Sequence, residues 1–266
     1  MVIDAHHHLP RDWQPYVDRL RQVCAEIGVD RVAVCSSGPP GQADNDTLAT
    51  AQQANPDFLI CLGYMRLGEE TPRAVDRIKD LGLKGIKVIR PLDDYDADQY
   101  MPIYARAASL GLPMLFHLGI VARGPRDRFL DVSMARMRPV HLDRIARHFP
   151  ELTIIGAHLG NPWYDEAGEV ARMHPNVCFD LTGSTMKKKP PQFLDEVLWW
   201  HRNQQYGKMG DNHPYQKIVF GTDVGPDMME DVKNDYQAFM DYVDMSQEFR
   251  DLIWGGTAAR IFGIKE

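Results

Sequence analysis

The sequence predicts a (β/α)8 barrel, the TIM-barrel fold, as a single domain that spans residues 1–266. Three observations predict it. Short apolar runs alternate with amphipathic stretches along the whole chain. Eight such repeats fit into about 250 residues, which is the usual length of this fold. Finally, no linker or change in composition divides the chain into smaller units.

Eight runs have the length and apolar content of buried strands. They cover residues 2–6, 31–36, 58–64, 85–90, 113–117, 153–158, 177–181 and 218–222. Segments with helical spacing of apolar residues follow them, at residues 16–27, 45–55, 72–81, 97–110, 139–149, 164–174, 191–206 and 228–245, and a last one lies at about 247–262. Gly28, Gly82 and Gly111 mark helix ends. Strands that alternate with helices predict βαβ units and a parallel sheet.

A doubly wound open sheet is the alternative α/β architecture. That fold often carries a glycine-rich phosphate-binding turn after an early strand. Neither a GxGxxG nor a GxxxxGK[ST] pattern occurs in the chain, which favours the barrel. The longest irregular stretch, residues 118–138, follows the fifth strand and carries five arginines. A loop of this length is usually functional or mobile.

Composition limits the kinds of partner. A net charge of −7, with 44% apolar and 25% charged residues, is typical of a globular protein and argues against nucleic-acid binding, which needs a basic face. No apolar run reaches the roughly 18 residues of a membrane span, and no secretory signal is present. We therefore expect a cytoplasmic protein with a small-molecule substrate. The four scattered cysteines are expected to be buried thiols without a metal-binding or nucleophilic role.

The residues from Asp4 to His8 indicate a metal site. In a strand, Asp4, His6 and His8 lie on one face and His7 lies on the other. Two imidazoles that are two residues apart on a strand can bind one ion. Asp4 lies deeper than the two histidines, so we expect a structural or supporting role for it rather than direct ligation.

Three later strands also end in a residue that can bind metal or transfer a proton, namely His117, His158 and Asp223. In a barrel the C-terminal ends of the strands meet at one mouth, where active sites lie. Three imidazoles and one carboxylate suit a borderline ion such as Zn²⁺, with Mn²⁺, Fe²⁺ or Co²⁺ as alternatives. His158 is a fifth candidate, which we place beside the metal as an acid, base or polarising group.

The chain resembles the amidohydrolase superfamily, and within it the amidohydrolase-related branch that includes aminocarboxymuconate-semialdehyde decarboxylase. The resemblance is carried by IDAHHH at 3–8, FHLG at 116–119, GAHLG at 156–160, FGTD at 220–223 and IWGGTAARIFG at 253–263, where Thr257 stands in place of the usual Asn. It implies one divalent metal, held by His6, His8, His117 and Asp223, and a catalytic His158. It also implies a homodimer or a larger homo-oligomer.

Three residues are weaker candidates for substrate binding. Lys87, in the fourth strand, faces the barrel interior, where it can contact a substrate carboxylate, be carboxylated and bridge two metals, or pair with a structural acid. Trp163, after the sixth strand, can stack on an unsaturated substrate or pack structurally. Arg123 lies in the long loop, whose arginines can clamp a carboxylate or remain solvated. Asp180 and Thr182 point inward from the seventh strand and can orient His158 or only fill the barrel.

The leading functional hypothesis is a metal-dependent hydrolase of a small carboxylated ester, lactone or amide, which uses a metal-activated water. Asp223 takes the proton of the water, and His158 stabilises the developing oxyanion. The alternative is a non-oxidative decarboxylase, a lyase, that acts on an aromatic or muconate-like acid, with Asp223 protonating carbon. A non-catalytic scaffold is a third reading, which the set of candidate ligands makes the weakest.

Overall fold

The computed structural model describes residues 1–38, 41–124, 127–198 and 213–265. Eight parallel strands form one sheet in which every strand pairs with the next along the chain. The strands are β1 (Ile3–His8), β2 (Arg31–Cys35), β3 (Leu59–Met65), β4 (Gly85–Val88), β5 (Met114–Phe116), β6 (Ile154–Gly156), β7 (Val177–Asp180) and β8 (Ile218–Val219). Each of the eight strands overlaps one of the runs that the sequence predicts.

Backbone hydrogen bonds bring β1 against the segment that follows β8. The amide of Ala5 donates to the carbonyl of Phe220 at 2.8 Å, and the amide of Asp223 donates to the carbonyl of His6 at 2.8 Å. The sheet is thereby nearly closed, and helices flank it. The predicted single-domain TIM barrel is confirmed.

Most helices overlap the segments that the apolar spacing predicts, although several are shorter. Two short helices, at residues 127–130 and 184–188, were not predicted. The helices are α1 (Trp13–Ile27), α2 (Asn45–Ala54), α3 (Pro72–Asp80), α4 (Met101–Ser109), α5 (Asp127–Leu130), α6 (His141–His148), α7 (Tyr164–Met173), α8 (Ser184–Lys188), α9 (Pro191–Val197), α10 (Met229–Tyr242), α11 (Gln247–Asp251) and α12 (Thr257–Phe262). A π-helical turn, Leu252–Gly256, joins α11 to α12. Residues 199–206 of the predicted seventh helix lie outside the described residues.

Two apolar layers stabilise the barrel, as the alternation of strand side chains requires. One fills the space between sheet and helices, and Val32 and Val34 of β2 belong to it. The other fills the barrel interior, where Ala33 and Cys35 of the same strand lie. Phe262 of α12 packs against this inner layer together with residues such as Ile3 and Ile60, so α12 covers the N-terminal end of the barrel. The opposite end is left for the loops that carry the candidate site.

The local signals for helix ends are confirmed at α1. Gly28 adopts a left-handed φ of 69° directly after the helix, and its amide donates to the carbonyl of Cys24. Glycine reaches this conformation without steric cost. Within the described residues, none of the helices is both long and apolar enough to cross a membrane.

Candidate metal centre

The structure brings together the five residues that the sequence predicts at the mouth. His6 and His8 end β1, His117 follows β5, His158 lies in a turn after β6, and Asp223 follows β8. The Nε2 atom of His8 lies 3.2 Å from Oδ1 of Asp223, and the Nε2 atom of His158 lies 3.8 Å from its Oδ2. The Nε2 atom of His158 is also 3.3 Å from Nδ1 of His117.

Two of these residues have strained backbones. His158 has a φ of 63° and Asp223 a φ of 48°, in a region that non-glycine residues rarely adopt. Surrounding contacts hold both conformations. The hydroxyl of Thr185 donates to the carbonyl of His158 at 2.6 Å, and the amide of Asp223 is bonded to His6. Such strain often occurs at functional sites, where the surroundings keep a side chain in a required direction.

Outer hydrogen bonds orient the two β1 imidazoles. Nδ1 of His6 lies 2.9 Å from Oδ2 of Asp180, and Nδ1 of His8 lies 2.9 Å from Oε1 of Gln42. The Gln42 oxygen also accepts from the amide of Ser37, so it is an acceptor toward His8. In each neutral ring the proton is therefore on Nδ1, and the Nε2 lone pair faces the site. A carbonyl or carboxylate behind a histidine is typical of metal-ligating imidazoles.

The imidazole of His117 is oriented in the opposite sense. Its Nε2 lies 2.9 Å from the carbonyl of Ile120, which can only accept, so the neutral ring carries its lone pair on Nδ1. That lone pair faces Nε2 of His158. The Nε2 atom of His8 lies 3.2 Å from a carboxylate oxygen of Asp223, and in the neutral ring this atom carries the lone pair. Imidazole nitrogens and a carboxylate oxygen thus lie around one space at the mouth, and donors of these two types suit a divalent ion.

Charge around His6 favours a cation at the same place. Burial lowers the pKa of His6, and Lys87 lowers it too, but the carboxylates of Asp223 and Asp180 outweigh both and raise it to about 10. Burial raises the pKa of Asp223, but His6, His8 and His158 outweigh it and hold this pKa well below its usual range. The carboxylates thus attract positive charge to the β1 histidines, whether a proton or a metal ion carries it.

His117 and His158 lie in a different electrostatic environment. Burial lowers the pKa of His158 to about 4, although Asp180 and Asp223 oppose it. Burial and the neighbouring His158 also hold the pKa of His117 well below its usual value. Both rings are therefore neutral near pH 7, and each keeps one nitrogen free to accept a proton or to bind a metal.

Lys87 lies inside the barrel, as the alternation along β4 predicts. Its side chain is completely buried, and Nζ lies 3.0 Å from Nε2 of His6. Its Nζ atom therefore lies beside the His6 nitrogen that would bind an ion. The structure brings Lys87 into the site, but its role toward a substrate stays a prediction.

Cys35 is a residue that the sequence analysis left out of the site. It pairs with His8 across β1 and β2, and its Sγ lies 3.9 Å from Nδ1 of His8. Ligand atoms of His6, His8 and Cys35 lie within 4.8 Å of one another.

Burial raises the pKa of Cys35, but His8 and Lys87 lower it to about 5. Burial lowers the pKa of His8, whereas Cys35 and Asp223 raise it to about 9. The sequence signal that could have identified Cys35 is its position at the C-terminal end of β2 on the face that points into the barrel.

His7 and Asp4 lie away from the mouth. His7 points to the other face of β1, as predicted, where its Nε2 lies 2.8 Å from the hydroxyl of Tyr16. The carboxylate of Asp4 accepts from the amide and hydroxyl of Thr222, at 3.0 and 2.6 Å. Asp4 thus fixes the residue that precedes Asp223, in agreement with the expected supporting role. The prediction that Asp4 shares a face with His6 and His8 is wrong, because the register of β1 shifts between Asp4 and His7 and puts these two residues on the same face.

The two remaining candidates have no described contact with the five mouth residues. The ring of Trp163 lies 5.3 Å below the guanidinium of Arg138 and lines a groove with Phe193 and Lys189, among others. Arg123 is exposed in the loop after β5 and forms no hydrogen bond or ion pair with the described residues. Their substrate-binding roles stay predictions.

Solved structures of low sequence identity share the fold. An uncharacterised TIM-barrel protein from Bordetella bronchiseptica matches with a TM-score of 0.74 at 20% identity, over 99% of this chain and 98% of the other. A dihydroxybenzoic acid decarboxylase from Polaromonas, with bound manganese and the inhibitor 2-nitroresorcinol, matches at 0.67 and 17%, over 100% and 97%. An amidohydrolase from Burkholderia multivorans with bound zinc matches at 0.66 and 16%, over all of both chains.

Sequence comparisons define the family. A curated relative, the protein fluG of Emericella nidulans, is 28% identical over 94 residues, which are 35% of this chain and 10% of that protein. The chain thus matches about a tenth of the length of this curated relative. The model of the amidohydrolase family, Amidohydro_2, matches residues 3–264. The chain therefore belongs to this amidohydrolase family.

Proposed function

We propose that the protein is a metal-dependent hydrolase that acts on a small carboxylated ester, lactone or amide. The observation that carries the proposal is the position of Asp223. One of its oxygens lies 3.2 Å from His8 and the other 3.8 Å from His158, and 19% of the side chain is exposed. A carboxylate in this position could coordinate a metal ion through one oxygen and accept a proton from an entering water through the other.

The donor set supports one divalent ion held by His6, His8, His117 and Asp223. Imidazole and carboxylate ligands suit zinc best, with manganese, iron and cobalt as alternatives. The manganese of the Polaromonas decarboxylase and the zinc of the Burkholderia amidohydrolase are consistent with this choice. When bound, such an ion lowers the pKa of water and polarises a carbonyl oxygen.

The protein groups supply the remaining chemistry. Asp223 accepts the proton of the attacking water and returns it to the leaving oxygen or nitrogen. His158 lies beside that proton path, with its Nε2 atom 3.8 Å from Oδ2 of Asp223, and polarises the reacting carbonyl or shares the proton. The buried ammonium of Lys87 pairs with the carboxylate of the substrate, and Trp163 and Arg123 contact its outer part.

Decarboxylation is the second candidate, because several solved structures that share the fold are named as decarboxylases. Besides the Polaromonas protein, they include a 5-carboxyvanillate decarboxylase from Sphingomonas paucimobilis. Another structure that shares the fold, a probable 2-pyrone-4,6-dicarboxylic acid hydrolase from Acinetobacter baumannii, is consistent with hydrolysis instead. In this alternative the same Asp223 would protonate the ring carbon that loses carbon dioxide.

The test is a paired assay on zinc- and manganese-loaded protein. One panel contains lactones, esters and amides that carry a carboxylate, and the other contains hydroxybenzoic acids, with release of carbon dioxide as the signal. Turnover in the first panel that is lost in D223N supports the proposal. Turnover in the second panel alone would overturn it in favour of decarboxylation. Metal-independent turnover of either panel would overturn the metal-dependent mechanism.

A further inference from the structure

The end of β7 holds two residues that the proposed mechanism does not use. Asp180 is completely buried and Thr182 is 1% exposed, yet both are polar and lie directly behind the mouth. Asp180 accepts four hydrogen bonds. Oδ2 accepts from Nδ1 of His6, and Oδ1 accepts from the amide of His158 and from the amide and hydroxyl of Thr182. One carboxylate thereby connects β1, β6 and β7.

The single hydroxyl proton of Thr182 fixes the protonation of His158. Oγ1 of Thr182 lies 2.6 Å from Oδ1 of Asp180 and 2.7 Å from Nδ1 of His158. A carboxylate oxygen that already receives two amide protons can only accept, so the hydroxyl proton points to Asp180. The hydroxyl oxygen must then accept from Nδ1–H of His158. In the neutral ring, the lone pair is therefore on Nε2, toward His117 and Asp223.

The same carboxylate sets the proton of His6. Its Oδ2 lies 2.9 Å from Nδ1 of His6 and holds a proton there, so in the neutral ring the lone pair is on Nε2, toward Lys87. Because both rings depend on Asp180, a change at the end of β7 alters a candidate metal ligand and the candidate acid or base together.

A second Asp–Thr–His arrangement occurs on the other face of β1. The hydroxyl of Thr222 donates to Asp4 at 2.6 Å and lies 3.1 Å from Nδ1 of His7. In both cases the threonine amide also donates to the same aspartate at 3.0 Å. The two arrangements differ in what the histidine faces. The Nε2 atom of His7 lies beside the hydroxyl of Tyr16, whereas the Nε2 atom of His158 lies at the mouth of the barrel, beside His117.

We propose that Asp180 and Thr182 are positioning residues, which hold the protons of His6 and His158 on Nδ1 so that both rings turn an Nε2 lone pair toward the reaction site. The proposal rests on the proposed function, since it assigns His158 the acid, base or polarising role. Neither residue touches the substrate. Their effect is transmitted through the orientation and tautomer of the two imidazoles.

The first experiment compares T182V with T185V in the zinc-loaded protein. Both threonines are buried and both hydroxyls bond to His158, one through the ring and the other through the backbone carbonyl. Nitrogen NMR of the imidazoles reports the tautomer, with His7 as an internal reference. We expect the Nδ1–H form of His158 in the wild type and in T185V, and a loss of that form in T182V. T182S should restore it.

Turnover and metal content complete the test. We expect kcat to fall about 10- to 100-fold in T182V, with bound zinc unchanged. A His158 tautomer that is unaffected in T182V, or equally affected in T185V, would overturn the proposal. Because the NMR signal does not depend on a substrate, failure of the proposed hydrolysis leaves this result readable on its own.

The second experiment addresses His6 through D180N. The side-chain amide of this variant has one oxygen and one NH2 group where the carboxylate had two oxygens. If the NH2 group faces Nδ1–H of His6, that proton loses its acceptor. If it faces the backbone amides of His158 and Thr182, those protons lose theirs. We expect zinc affinity, measured by competition with a chelating dye, to fall about 10- to 100-fold. Zinc affinity equal to that of the wild type in folded D180N would contradict the link to His6.

Discussion

The Nδ1 atom of His117 lies 3.3 Å from the Nε2 atom of His158, and hydrogen bonds on the outer side leave a lone pair on each. The carbonyl of Ile120 holds the proton of His117 on Nε2, and Thr182 holds that of His158 on Nδ1. These partners come from the loop after β5 and from the end of β7. The barrel thus directs acceptors from separate strands to one point, which is the arrangement that binds a cation.

Replacing Asp223 by Asn should abolish turnover while appreciable metal is retained. The amide keeps an oxygen for the ion but cannot take a proton from water. Loss of a general base typically costs about 10²- to 10⁴-fold in rate. Steady-state assays on D223N, with zinc measured in the same sample, check this. Full activity in metal-loaded D223N would refute the assigned role.

Replacing Lys87 by Met should raise KM for a carboxylated substrate at least about tenfold. Met has a similar length but carries no charge, and a hydrogen bond to a charged group contributes about 1.5–3 kcal/mol. Lys217 offers a matched control, because it is also buried but donates to the carbonyl of His174, outside the mouth. K217M should change stability without changing KM. An unchanged KM in K87M, together with a drop from two ions to one, would instead indicate a metal-bridging carboxylated lysine.

Gly119 and Gly111 provide a test of how the loop after β5 is held. Both have a positive φ, but a Cβ at Gly119 would lie 1.7 Å from the carbonyl oxygen of Asn161, whereas a Cβ at Gly111 would meet nothing within 4 Å. G111A should therefore cost about 1 kcal/mol of unfolding free energy, from backbone strain alone. G119A should cost at least about 2 kcal/mol more, because backbone must move.

Denaturant unfolding of both variants measures the difference, and zinc affinity shows whether the loop matters for the site. Ile120, which orients His117, is the next residue after Gly119 and donates its amide to Asn161 at 3.0 Å. We expect weaker zinc binding in G119A and unchanged binding in G111A. Equal stability of the two variants would show that the loop adapts freely.

Asp44 should stabilise α2 in a pH-dependent way. Its carboxylate accepts from the amide of Thr47 at 2.8 Å, and this hydrogen bond lowers the pKa of Asp44. D44A should lose about 1 kcal/mol, the usual contribution of an N-cap. D12A is the control, because Asp12 precedes α1 without a capping hydrogen bond.

The pH dependence has a definite sign. A lowered folded-state pKa means that the stabilisation is present above the unfolded value of about 3.9 and is lost as the pH falls through the folded value. The difference in unfolding free energy between the wild type and D44A should therefore be constant near pH 7 and shrink below about pH 4. A difference that is unchanged in acid would contradict the capping role.

The order of the barrel strands was predictable because each strand is a short apolar run between clear helix signals. Irregular turns within a helical segment were harder to predict. The segment 247–262, expected to be helical, is helical throughout, but it contains a π-helical turn, Leu252–Gly256, between α11 and α12. A Cβ at Gly255 would come within 2.2 Å of the carbonyl of Met1, so a close tertiary approach determines this position. Apolar periodicity does not report such contacts.

At the site, the residues were predictable and their orientations were not. His6, His8, His117, His158 and Asp223 stand at strand ends, and parallel strands bring those ends together. The proton positions depend on Thr182, which the sequence offered as one residue that could orient His158, and on Gln42 and Ile120, which lie in separate loops and carry no recognisable motif. Cys35 was overlooked because one cysteine in an apolar strand has the same appearance whether it faces the core or a ligand cluster.

Metal content per chain tests the central claim most directly. Plasma mass spectrometry should be run on dialysed, zinc-reconstituted wild type, H117A and H141A. His141 lies with Asp94 and Asp96 in a second group that could hold an ion, outside the mouth, so H141A controls for metal bound there. The account predicts at least one tightly bound divalent ion per chain in the wild type and in H141A, and its loss in H117A. No bound ion in the wild type, or equal metal in H117A, would contradict it.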